Sequence, residues 1–288
     1  MCNLKTYIIM KTIILKFLGL ALILTAFMAC SDDDDSTPII NDVMVVYNSE
    51  TGVFSSINIT NGALTTLGTV TLNNEVVVGL RDIVYNPSNK TVYASSRAND
   101  PYSGIIYSIN PATLEATIIN DNADEDWYAL PGLEMAGGKL LATVYWDYYD
   151  PSYDESTGLL YLNLDGSFSS TFALMYQGDS FYFSDGMGIE YGSSNNQLLI
   201  TDGNDILISD LNGNISEIIE LTGTGFPNMD ELDDVRTIET DADGTIYGID
   251  GDGHFGSVNL TTGVFTYIAT LPGERIMALS MIPETVFD

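Results

Sequence analysis

One short pattern recurs five times: an apolar strand that ends in Asn or Asp, then a tight turn. It reads GVFSSINITNG, GIIYSINPAT, GLLYLNLDG, DILISDLNG and GHFGSVNLTTG, and the shared polar residues are Asn58, Asn110, Asn163, Asp210 and Asn259. Such side chains bond the backbone two residues on and nucleate a turn, so each copy reads as a strand closed by a hairpin. A repeat of this kind confines a chain to architectures that stack one unit on the next.

Four of the copies are preceded by a second strand pair: DIVYNPSNKTVYAS, GLEMAGGKLLATV, GIEYGSSNNQLLITD and TIETDADGTIYGID. Each unit therefore reads as strands A, B, C and D, over roughly 40 to 55 residues, the dimension of a propeller blade. The first described repeat starts at strand B (VMVVYN), and the last strand, RIMALSMIP, is a lone A. Together they complete a fifth blade and hide the sheet edges. The expected fold is all-β: a five-bladed β-propeller closed by strand A from the C-terminal end and strands B, C and D from the N-terminal end. A six-bladed ring with an irregular blade near TLNNEVVVG is the fallback. At blade level residues 42–288 resemble the broad superfamily of non-WD propellers, including NHL-like and gluconolactonase-like proteins.

The first forty residues read as an address. Lys11 and Lys16 precede an apolar run, Leu18 to Ala29, which is the layout of a secretory signal and too short to favour a membrane span. FMAC resembles a bacterial lipobox, which implies a diacylglyceryl group on Cys30 and cleavage before it. The following SDDDD is similar to the acidic export signal of Bacteroidetes-type surface lipoproteins. Residues 1–29 are thus expected to be a signal peptide, 30–41 a lipidated cysteine and acidic linker, and 42–288 the propeller. The resemblance implies anchorage in outer-membrane lipid, facing the cell exterior. Beyond Ala29 six basic residues stand against 40 acidic ones, a formal charge of −34. Such a chain repels nucleic acid.

Propeller topology puts the A–B and C–D turns on one face, and here they are short. The other face carries the long loops, where binding residues concentrate. Aromatics crowd them: Trp127, Tyr128, Tyr145, Trp146, Tyr148, Tyr149 and Tyr182. Beside carboxylates such rings suit a glycan; they also suit a surface protein partner, or simply pack the loops down. Three of the four arginines, Arg81, Arg236 and Arg275, share one repeat position at the start of strand A (LRDI, VRTI, ERIM). They should meet at the channel mouth, either as an anion site for a sugar acid or neutralised by nearby acids.

We therefore expect a glycan- or protein-binding propeller. The alternative is a metal-dependent hydrolase or lactonase. For that alternative, SDGMGIEYGSSNNQLLITDGND resembles a metal-binding segment of gluconolactonase-like proteins, which implies Asp185 and Asp202, and Asp234 with them, as ligands for calcium. Arg81 in GLRD stands where that family would place a metal-binding Glu. His254 is the single histidine, in the short loop DGDGHFG, and offers little to a catalytic triad. DADGTIYGIDGDG reads as two hairpin turns.

Overall fold

A computed structural model describes residues 42–97, 104–121, 127–146, 157–182, 186–192, 195–227, 231–273 and 275–287. All lie in the second of two compact units, 41–288. Cys30, the acidic run and the expected signal peptide lie outside them.

Twenty strands make five four-stranded antiparallel blades. Blade V holds β1 (Asp42–Asn48), β2 (Val53–Ile57) and β3 (Leu64–Thr69). Blade I holds β4 (Leu80–Asn86), β5 (Thr91–Arg97), β6 (Gly104–Asn110) and β7 (Glu115–Asn120). Blade II holds β8 (Leu133–Ala136), β9 (Lys139–Trp146), β10 (Thr157–Leu162) and β11 (Phe168–Ala173). Blade III holds β12 (Gly186–Gly192), β13 (Gln197–Asp202), β14 (Asp205–Ser209) and β15 (Asn214–Glu220). Blade IV holds β16 (Val235–Thr240), β17 (Ile246–Asp250), β18 (His254–Asn259) and β19 (Val264–Thr270). The last strand, β20 (Ile276–Pro283), pairs with β1 and completes blade V, with Asp42 opposite Pro283. The inner strands touch in the cycle β4, β8, β12, β16, β20 and back to β4, so the ring is closed around a channel.

The six-bladed fallback is overturned. The stretch near TLNNEVVVG forms a two-residue hairpin, Thr71–Leu72 with Glu75–Val76, whose first arm lies parallel to β7 on blade I. Its strands are too short to build a blade of their own.

Five hydrophobic clusters fill the five gaps between neighbouring blades. This explains the unbroken apolar runs. In VMVVY, Val45 and Tyr47 pack toward blade I while Met44 and Val46 pack toward blade IV. A strand covered on both faces has no solvent side on which to alternate. Each fully buried Val, Leu, Ile or Phe contributes about 1.5–3 kcal/mol. The Tyr47 hydroxyl is buried too and donates to Val77 O at 2.6 Å.

The recurrent turn residues act locally as their chemistry predicts. Oδ1 of Asn58, Asn110, Asp210 and Asn259 each accepts the backbone N–H two residues on, at 2.8–3.0 Å. In blade II, Asn163 instead donates Nδ2–H to Ser167 Oγ, and Asp165 accepts the Ser167 N–H. DADG and DGDG are hairpin turns of the same type: Asp241 Oδ1 accepts N–H of Asp243 and Thr245, and Asp250 Oδ1 accepts N–H of Asp252 and His254.

Candidate functional site at the channel mouth

Arg81 lies at the start of β4, Arg236 at the start of β16, and Arg275 immediately before β20. The ring brings all three to one cavity of about 480 Å³, shared with Ser49, Glu50 and Gly251. Arg275 has a left-handed backbone (φ 65°), a conformation that costs a non-glycine residue of order 1–3 kcal/mol. Ser49 holds it there: its N–H and Oγ–H both donate to the Arg275 carbonyl, at 3.1 and 3.0 Å. Gly251 leaves room for the Asp233 carboxylate, with which a β-carbon there would clash, and for Arg236 Nε, which it would approach to 3.3 Å.

Acidic groups stand beside Arg236 and Arg275. Asp234 Oδ2 stands 3.5 Å from Arg236, and Glu50 Oε1 stands 3.9 Å from Arg275. The Arg275 side chain is 73% exposed and its ion pair is long, so that pair adds little stability.

Below the mouth lies a layer that sequence reading missed. In strand-A alignment one position carries Val84, Glu134, Glu190, Glu239 and Ser280. Carboxylate oxygens of the three glutamates lie within 4.8 Å of one another. Asp82, two residues before Val84, is buried near them; its Oδ2 accepts the Leu133 N–H across the blade boundary at 2.9 Å, and its Oδ1 accepts the Ile83 N–H. Each glutamate is also pinned to backbone. Glu134 Oε1 accepts the Met135 N–H at 2.6 Å, Glu190 accepts from the backbone and hydroxyl of Thr240, and Glu239 accepts the Met281 N–H. Burial drives all four carboxyls upward. Asp82, Glu134 and Glu239 sit well above the usual range, with neighbouring carboxylates adding to the burial, and Glu190 is pushed up to about 7 against the bonds from Thr240. The available signal was the Glu shared by GLEMAGG, GIEYG and TIETD. It went unused because an isolated Glu in a strand reads as a solvent-facing residue.

The remaining expected site residues fare differently. Trp127 pairs in register with Trp146, and Tyr145 with Ala129, so the backbones carrying three of the aromatics adjoin on blade II. The Tyr182 side chain is 47% exposed. The side chains of Trp127, Tyr128, Tyr145 and Trp146, and the whole of Tyr148, Tyr149 and Asp185, lie outside the described residues. Asp202 is buried at the end of β13, and Asp234 faces Arg236. Among the described residues the one group of three metal-competent side chains is the glutamate triad, and neither aspartate belongs to it. His254 is buried as a structural residue: Nδ1–H donates to Asp250 Oδ2 at 2.8 Å, and the ring packs edge-on against Phe226.

No protein-family model matches the chain, and no curated protein matches it. Solved structures do. A chain of a nidogen/laminin complex aligns with 10% identity and a TM-score of 0.48, over 84% of this chain and 98% of that one. A gluconolactonase from Xanthomonas campestris gives 11% and 0.46, over 81% and 77%, and the periplasmic gluconolactonase of Pseudomonas aeruginosa gives 10% and 0.43, over 78% and 81%. At these identities and scores none of them bears on ligand or activity.

Proposed function

We propose that this protein is a lipid-anchored, cell-surface propeller that binds a carboxylate-bearing glycan at its channel mouth. The observation that carries the reading is the convergence of Arg81, Arg236 and Arg275 on one cavity, in a chain whose charge is otherwise strongly negative. Arginine grips a carboxylate through two parallel N–H bonds, and a cation cluster set in an acidic surface selects the acid group against its neighbours. The aromatics of blade II, Trp127, Tyr145 and Trp146 among them, would stack the apolar faces of sugar rings beside it. As a second reading, the carboxylates in the channel favour a metal-dependent hydrolase.

The test is a titration of uronic-acid-containing and neutral oligosaccharides against the wild type and against Arg81→Gln, Arg236→Gln and Arg275→Gln. Removing one partner of a charged pair costs about 2–5 kcal/mol. We expect acidic-sugar binding to weaken at least tenfold in each variant, with the melting temperature kept. Binding that is equal for acidic and neutral sugars, or unchanged in all three variants, overturns the proposal. Cleavage of the sugar during titration would move the reading to a hydrolase.

A further inference from the structure

We propose that Glu134, Glu190 and Glu239 hold one hard divalent cation, calcium by the chemistry of its donors, in the channel beneath the arginine mouth. Oxygens that all lie within 4.8 Å of one another are close enough for one ion to bind all three, since calcium takes oxygen at about 2.3–2.6 Å. Calcium is held in flexible all-oxygen cages, whereas magnesium keeps several of its waters and is seldom enclosed by protein ligands alone. All three donors are carboxylate oxygens, the ligand type that hard cations take.

The three side chains come from three blades, and each is fixed by a backbone bond that leaves further lone pairs for an ion. Glu190 is buried, and Glu134 and Glu239 are partly buried.

A second, independent observation points the same way. Thr237 is 1% exposed, and its Oγ1 has no hydrogen-bond partner. It lies two residues before Glu239 on the same face of β16, with Ile238 turned to the other side. It also fills the repeat position that Asp82 fills in blade I, and the Asp82 carboxylate is close enough to feel Glu190 and to act on Glu134 and Glu239. By that equivalence the hydroxyl looks into the same space. The Ser95 hydroxyl is likewise buried without a partner, directly across the ladder from Asp82. Buried hydroxyls are rarely left unmatched. An ion with its bound water would match these.

The full chain, purified in detergent and stripped with chelator, should be titrated with calcium chloride and separately with magnesium chloride by calorimetry at neutral pH. We expect one calcium per chain, a calcium affinity above that for magnesium, and a melting temperature that rises with calcium concentration. Glu190→Gln and Glu239→Gln should each weaken calcium at least about tenfold while melting no lower than wild type in chelator, since a neutral amide costs less to bury than an ionisable carboxyl. Thr237→Val gives a milder loss and guards against glutamine variants that fail to fold. Arg81→Gln should leave calcium binding intact, which separates this site from the glycan reading. Absence of saturable calcium binding to wild type overturns the proposal. So does binding that survives the Glu190→Gln/Glu239→Gln double change, since the ion would then sit on surface acids. Glutamine variants that gain stability while wild type ignores calcium would show that protons alone settle the triad.

Discussion

Asp210 is the one acid among five equivalent turn residues, the others being Asn58, Asn110, Asn163 and Asn259. Burial works to raise its carboxyl, but bonds from the side chain and backbone of Asn214 and from Asn212 outweigh it and hold the group below its ordinary 3.8. A depressed folded value means the contribution is present above 3.8 and disappears as pH falls through the folded value. Asp210→Asn does not titrate. Urea unfolding should therefore find the variant less stable at pH 7 by about 1 kcal/mol or less, with the gap closing at pH 3. A gap indifferent to acid would mean that the carboxylate charge plays no part in the turn.

At the scale of the strand and its turn, the C–D glycine does two things at once. Gly263 has φ +63°, and a β-carbon on it would stand 2.6 Å from Glu220 O on the outer strand of blade III. Gly137 has nearly the same φ, +60°, with nothing within 4 Å. The pair separates backbone strain from crowding. Gly137→Ala should cost only the left-handed penalty of about 1–2 kcal/mol. Gly263→Ala should cost that plus about 1–3 kcal/mol for pushing the neighbouring blade aside. Equal losses in thermal or urea unfolding would mean that the outer strands yield freely. Blade I solves the turn differently: Leu114 takes φ 55° and repays the strain by burying its side chain in the gap between blades V and I.

For the molecule as a whole, closure of blade V ties the two ends of the ring together, because β20 is the inner strand on which β1 depends. This places Asp42, the first described residue, beside Pro283, so one tether at the N-terminal side can carry the domain. The proposed location follows from that tether. Cys30→Ala should release the protein from the membrane fraction. Replacing Asp32 to Asp35 by Ala should leave it lipidated but shielded from protease added to intact cells. A tetra-alanine variant still shaved from intact cells would refute the surface-export reading.

The sequence by itself determined the blade, the number of blades and the manner of closure. Those are properties of local order: turn side chains bonding their own backbone, glycine at left-handed positions, apolar runs of strand length, and an unpaired A strand at one end matching an unpaired B–C–D set at the other. It also marked the shared position of Arg81 and Arg236, but not of Arg275: the bulge that falls at Arg81 in β4 and at Arg236 in β16 falls at Met277 in β20, two residues past Arg275. What only the tertiary structure decided is which side chains meet across the axis. Glu134, Glu190 and Glu239 stand more than 40 residues apart, and in each strand taken alone a glutamate is an ordinary polar residue. They come within 4.8 Å because five sheets close into a ring and turn the same repeat position inward from neighbouring blades. Convergence on a symmetry axis is a property of the ring, and no local window of sequence contains it.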